Sequence, residues 1–437
     1  MKFTSHFILA AAVLLLFNFS AKAQQAAQDS LNLQDAIHAA LTNQPSLDQV
    51  EAEINASESQ TDQAKTAYYP QVEAEGSYNY LSPVSTLDFN GSGFQVMPKS
   101  NYDAHVAAHQ LIYDFGKTRQ NIALARSRTL TAEQRREVVK WTISYYTTKT
   151  FYSILYLDQS MEVVAEQIKT LNEDLDTARK RLQNGSATNY DVLSIKVRIG
   201  EEKNRRLDLI DQKEKLKSTL RKLFGWDPDR TVDVKGNLDL KNEEDITNLN
   251  QVYADRPDYK VLQQKKEELK KAYKLRSLSD MPSLTAGVIA GFKNGYQPNI
   301  DKILGNYSIG VQLKVPIFNG HTTRYQRQEV QSNINSLNAQ SRKLKREIQE
   351  EVEQAKTDVK TGKQKLATSD LQIKQAKEQL RLAKIRYKNG VITNTDLLAA
   401  ETALTKARFQ KVTTTYNILL SQYDLKKAAG EKIWTSN

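Results

Sequence analysis

Two short stretches carry the side chains best placed to act by position. Thr188 and Asp191 follow Asn184-Gly185, and Thr393 and Asp396 follow Asn389-Gly390 at the same spacing. Asn-Gly after a helical run suits the positive-φ residue that closes a helix. A Thr three residues before a carboxylate suits the start of the next helix. The hydroxyl accepts from an orphan amide, the carboxylate reaches back, and a first-turn acid favours the helix dipole. The rule prefers Glu or Gln at the acidic position, so two readings stay open: aspartates that only cap, or caps that also present charge. His105 and His109 are four apart, hence on one face of a strand. With His38 and His321 they show no wider metal-ligand spacing, and they read as polar face residues rather than ligands. The chain has no Cys and five His, which excludes thiolate zinc sites, Fe–S clusters, disulfides and Cys nucleophiles. It has no Gly-rich phosphate loop and no convergent catalytic constellation. It reads as a non-enzyme without a cofactor, whose energy coupling must come from partners.

The elements that position these turns are long. Gly (17) and Pro (9) make up only about 6% of the 437 residues. From Gly116 to Gly185 there is no Pro and no internal Gly, and from Gly320 to Gly390 only Gly362. About 67 helical residues span roughly 100 Å, more than any globular core requires. Heptad rows run along them: Val352, Val359, Leu366, Ile373, Leu380 and Tyr387, with a companion row of small residues at Ala355, Gly362, Ser369, Ala376 and Ala383. Such rows imply knobs-into-holes packing of helix on helix.

The chain repeats once, with a period of roughly 205–212 residues. YYPQVEAEGSYNY (68–80) answers DMPSLTAGVIAGF (280–292), and RLQNGSATNYDVL (181–193) answers RYKNGVITNTDLL (386–398). Pro45 precedes Pro70, and Pro257 precedes Pro282, by the same 25 residues. The expected first repeat, 24–225, holds a helix over 31–67, strands 71–80 and 102–112, a long helix 116–183 and a return helix 187–223. A linker covers 226–252. The second repeat, 253–430, continues a helix over about 246–278 into strands 284–292 and 307–317, a long helix 320–388 and a return helix 393–429, with a tail at 431–437. The four strands alternate with period two, as in Tyr307, Ile309, Val311, Leu313, Val315 and Ile317 against Ser308, Gly310, Gln312, Lys314 and Pro316. About ten alternating residues match a tilted membrane-spanning strand, but four strands cannot close a barrel. Open edges are not tolerated in lipid, so other subunits would have to complete it. A soluble sandwich packed on helices is the alternative.

The first 23 residues read as a secretory signal peptide: Lys2, an apolar run Phe7–Phe17, and Ala21-Lys22-Ala23 at the cleavage site. An uncleaved anchor is the lesser reading. Cleavage takes the net charge from +11 to +9 by removing Lys2 and Lys22. The remaining Lys and Arg are interleaved with acids along helical stretches, so no nucleic-acid partner is expected. With 39% hydrophobic residues and mean hydropathy −0.60, the chain is not a polytopic helical membrane protein.

Taken together, LQDAIHAALTNQP (33–45), the duplicated strand-pair-to-long-helix unit and the two N-G-x-x-T-N-x-D-[VL]-L turns resemble the TolC family of outer-membrane efflux and secretion channels, over essentially the whole mature chain. The resemblance implies an α+β membrane protein. Three chains form a homotrimer, with a single outer-membrane β-barrel of four strands per protomer and a long periplasmic α-helical coiled-coil barrel. It implies a belt at 226–252 and the C-terminal end, and a gate at the periplasmic tip. In that gate Asp396 matches a luminal aspartate, Tyr387 a linking tyrosine and Asp191 its acidic partner. Ile392 stands where the pattern has a linking arginine, and Ala399 where it has a second luminal aspartate. Gly185, Ser186, Gly390 and Val391 would meet a periplasmic membrane-fusion adaptor, itself joined to an inner-membrane transporter of RND or ABC type, in tripartite efflux or type I secretion. Outer-membrane lipid would be the remaining partner. The competing reading is a periplasmic coiled-coil adaptor or scaffold without a pore, which leaves the four strands unexplained.

Overall fold

The computed structural model describes residues 30–89, 92–240 and 248–435. The signal-peptide segment 1–23 and linker residues 241–247 lie outside the described residues. The first helical stretch is two helices, not one over 31–67: α1 (Leu33–Thr42) and α2 (Pro45–Lys65). Pro45 has no N–H to donate and holds Gln44 in an extended conformation, so the helix restarts with proline at its first turn. The sheet then begins with β1 (Gln71–Tyr80). Within the loop expected over 81–101 a small hairpin forms, β2 (Thr86–Phe89) and β3 (Ser92–Gln95). β4 (Ser100–Tyr113) runs past both ends of the expected 102–112. It is followed by α3 (Lys117–Gln183) and α4 (Asn189–Phe224).

The second repeat breaks its first helix in the same place. α5 (Leu249–Asp255) and α6 (Pro257–Ser277) are separated at Arg256, again one residue before a proline. β5 (Ser283–Lys293) and β6 (Leu304–Lys314) follow, then α7 (Thr322–Lys388) and α8 (Asn394–Ala428). β6 lies three residues earlier than the expected 307–317. Its ladder stops before Pro316, which lacks the donor a ladder needs, and leaves Val315 and Ile317 in the connection despite their alternation.

The breaks have a use. Each return helix ends against one of them. A Cβ on Gly225 would fall 2.3 Å from the Asn43 carbonyl oxygen, and one on Gly430 2.7 Å from the Arg256 amide nitrogen. The two glycines stand 40 residues after their turn glycines, so the repeat conserves this closure in both copies.

The four long strands form one antiparallel sheet in the order β1-β4-β5-β6. The β4–β5 pairing joins the two repeats, and β1 and β6 are left at the edges. Register puts Ala74 opposite Val106, Val106 opposite Ala290, and Ala290 opposite Tyr307. One face is therefore apolar across all four strands, and it is exposed: Val72 at 67%, Tyr307 at 80%, Val311 at 75%. The other face carries Glu73, Glu75, Asp103, His105 and His109. There the His105 Nδ1–H donates to Asp103 at 2.8 Å, and His109 Nε2 lies 3.8 Å from Glu73.

Helix packing supplies the rest of the body. α3 and α7 are each 67 residues long. α3 packs on α4 toward the turns, where Leu171, Leu175 and Ala178 meet Val192, Ile195 and Ile199. Nearer the sheet it packs on α2 and α6. α7 packs along α8, and Gly362 accepts the buried Ile418, whose Cγ1 would lie 2.6 Å from an added Cβ. Midway, Ile37, Ile154, Leu155, Leu220, Phe224 and Leu419 form the largest core, closed by Val232 and Leu238 of the linker. No helix among the described residues is long and apolar enough to cross a membrane.

Candidate functional site at the helical tip

Both long helices end in the same closure. Gly185 and Gly390 take φ of +70° and +71°. The Ser186 amide donates to the Arg181 carbonyl at 2.8 Å and the Gly185 amide to Leu182 at 3.0 Å. Val391 donates to Arg386 at 2.9 Å, and Gly390 to Tyr387 at 3.0 Å. These are paired Schellman closures, which satisfy carbonyls that a helix end leaves free. No atom lies within 4 Å of a Cβ built on Gly390, so Gly390→Ala is expected to cost backbone strain alone, about 1 kcal/mol. Local opening around the turn should rise about fivefold, read as faster amide exchange there with exchange in the core around Ile154 and Phe224 unchanged.

The return helices start with reciprocal caps. Asp191 Oδ2 accepts from the Thr188 amide and hydroxyl, each at 2.8 Å, and Thr188 Oγ1 accepts from the Asp191 amide at 3.3 Å. Asp396 repeats this with Thr393 at 2.9, 2.7 and 3.3 Å. Aspartate therefore completes the box as Glu or Gln would. The Asp396 carboxyl is fully exposed, and its bonds from the Thr393 hydroxyl and backbone hold it below the usual carboxylate range.

Ties across the two turns pair Tyr387 and Asp191 with two residues the sequence did not single out, Arg181 and Asn394. Arg181 donates to the Tyr387 carbonyl at 2.9 Å and places its guanidinium 4.5 Å from the Tyr387 ring centre. Burial raises the Tyr387 phenol, against the opposing pull of Arg181. The Asn394 amide donates to the Asp191 carbonyl at 3.3 Å. Arginine is thus present at the tip, but it enters from the first repeat rather than from position 392. Ile392 instead packs with Ala383, Leu397 and Ala400. Tyr387 and Asp191 are brought close, but Asp191 spends its carboxylate on its own helix cap. The signal that could have found Arg181 is in the repeat itself: Arg181 and Arg386 stand at equal distance before Gly185 and Gly390. Gly185, Ser186, Gly390 and Val391 are all exposed at the apex, and Ala399 is an exposed small residue one turn along. Among the described residues no group of three His, Asp or Glu side chains could hold a metal ion.

This arrangement of duplicated hairpins on a four-stranded sheet matches solved outer-membrane channels over nearly its full length. The Vibrio cholerae outer membrane protein VceC aligns with a TM-score of 0.77 at 19% identity, covering 92% of this chain and 96% of that one. CusC aligns at 0.78 and 15% identity, covering 92% of each chain, and the open state of the Neisseria gonorrhoeae MtrE channel at 0.75 and 17%, covering 91% and 89%. At these identities the likeness concerns the fold. Among characterised relatives, BepC, an outer membrane efflux protein of Brucella suis, is 21% identical over 97% of this chain and 90% of its own length. Toxin and drug export protein A of Aggregatibacter actinomycetemcomitans is 26% identical over 199 residues, 44% of this chain and 42% of that protein. The family model for outer membrane efflux proteins matches residues 36–226 and 248–431, and the chain belongs to that family. It is an outer-membrane protein with a long helical extension into the periplasm.

Proposed function

We propose that three copies of this chain form a passive exit duct across the outer membrane. The observation that carries this reading is the sheet. It has two open edges and one predominantly apolar, largely exposed face, so it needs both neighbouring strands and an apolar surround. Three sheets of four strands make a twelve-stranded barrel with the Glu73, Glu75, Asp103, His105 and His109 face inward. The coiled hairpins continue it as a tube toward the inner membrane. A membrane-fusion adaptor docks at Gly185, Ser186, Gly390 and Val391 and links the duct to a transporter of RND or ABC type. The cargo class is small molecules or polypeptide, in keeping with relatives named for efflux and for toxin and drug export.

In this reading the tip is a gate. Three Asp396 carboxylates around the axis favour cations, and Tyr387, Asp191 and Arg181 hold the second-repeat hairpin against the first. Planar-bilayer recording of detergent-extracted trimers tests both parts. Wild type should show discrete, cation-preferring openings, and Asp396→Ala should lose a large share of that preference. Openings unchanged by the substitution would reduce Asp396 to a helix cap. No openings at all from folded trimers would sink the duct and favour a coiled-coil scaffold.

A further inference from the structure

A little above the turns, α8 carries Glu401 into its contact with the first repeat. Glu401 is 1% exposed, and as an ionised carboxylate neither of its oxygens finds a donor. It faces Asp174 of α3, whose buried Oδ2 likewise has none. Arg198 of α4 and Lys384 of α7 also act on Glu401, and the Tyr387 phenol of α7 lies within reach of Asp174; Glu202 of α4 sits on Arg198. Arg198 is already engaged with Glu201 at 2.7 Å, Glu202 at 3.5 Å and the Thr402 hydroxyl at 3.1 Å, and Lys384 is exposed.

Ionised carboxylates have acceptors only, so as two anions this contact joins buried groups that cannot bond and that repel. One proton changes its sign. The protonated carboxyl donates to the other carboxylate, and the buried charge of the pair is halved. The contact also sits where it matters. The neighbouring ties between the repeats, Arg408 to Glu166 at 2.6 Å and Thr405 to Gln167 at 2.5 Å, cross the same α3–α8 interface.

We propose that Glu401 is a positioning residue for the gate: in the closed tip it holds a proton and donates it to Asp174, fastening the second-repeat hairpin to the first, and losing that proton releases the hairpin. The inference rests on reading the tip as a gate. Burial, and then the adjacent Asp174 carboxylate, push the Glu401 carboxyl up to about 9. In an open tip it meets water and returns to the ordinary value of 4.5. The closed state therefore binds the extra proton. The fastening is complete below the ordinary value, weakens as pH rises above it, and is lost above the raised one. With one proton involved, the closed-to-open ratio falls about tenfold per pH unit inside that window.

The absence of native cysteine allows clean labelling at the apex. Nitroxides at Ser186→Cys and Val391→Cys report the separation of the two turns in full-length, detergent-extracted protein between pH 5 and 10. With Glu401 present, the close population should fall as pH rises. With Glu401→Gln, whose amide still donates to Asp174 but does not titrate, it should stay close throughout. Infrared spectra should show the carbonyl stretch of a protonated carboxylic acid at neutral pH, missing in Glu401→Gln. Equal pH responses in both proteins, immobility in both, or no such carbonyl band would each overturn the proposal. Neither readout requires ion flow, so a failed latch and a failed duct are told apart.

Discussion

Arg256→Ala is expected to lower the stability of the helical body by about 3 kcal/mol, the low end for removing one partner from a buried ion pair. Arg256 is 2% exposed at the α5–α6 break. Its guanidinium donates to both Asp258 oxygens at 2.9 and 2.6 Å, to Glu351 of α7 at 2.5 Å and to the Ala428 carbonyl at the end of α8 at 3.3 Å. It also lies 4.8 Å from the ring centre of Trp141 on α3. One side chain thus ties four elements, and its loss leaves two carboxylates and a helix-end carbonyl short of a donor. The low end applies because the Glu351 side chain is 47% exposed and water can partly replace the arginine. Arg256→Lys should recover only part of the loss, since an ammonium cannot form the two-pronged bond to Asp258. Denaturant titration of the extracted protein measures both. A change under 1 kcal/mol for the alanine variant would mean that these bonds are not formed in solution.

Ile309→Arg is expected to cost about 2–4 kcal/mol per chain in membrane insertion, the range for a charged residue at mid-depth on the lipid side of a barrel. Ile309 is the central residue of β6, 72% exposed on the apolar face and paired with Val288. Ser308, one residue away, faces the opposite side with Asn306 and Gln312, so Ser308→Arg should fold and insert nearly as well as wild type. The pair of variants reads which face meets lipid without relying on conductance. The measurement is the yield of heat-modifiable trimers refolded from urea into lipid vesicles. If Ser308→Arg were the damaging change, the faces would be reversed and the duct reading would fall with them.

Much of the architecture could be read along the chain because it is written in local periodicity. Val72, Ala74 and Tyr78 alternate with Glu73, Glu75 and Ser77, and the structure makes β1 of them. The long helices follow from the lack of interior proline, and the Asn-Gly turns from the positive φ that Gly185 and Gly390 supply. The misreadings share a cause. Pro45 and Pro257 mark the repeat, and their backbone consequence, a helix break just before each proline, outweighs the helical pattern around them. Val315 and Ile317 keep the strand pattern, but Pro316 ends the hydrogen-bond ladder that such a pattern normally reports. The ties at the tip could not be read locally. Arg181 and Tyr387 are 206 positions apart, and Asp174 meets Glu401 through packing rather than spacing. The roles of Asp396, Tyr387 and Asp191 as a gate rest on the proposal above.

The matched lengths of α3 and α7 make the molecule a ruler with two legs. Each leg carries its turn at the end of 67 helical residues, and each return helix closes on the break in its own repeat. Adding or removing one heptad in both the outgoing and the return helix of a hairpin shifts its turn by about 10 Å while keeping the buried rows in phase. Made in one leg only, such a change would set one hairpin above the other and break the ties at the tip. Reach can therefore change only in paired steps, in both halves of the gene at once and in multiples of the packing repeat. Chains that bridge a wider or narrower periplasm should differ from this one in that quantised way.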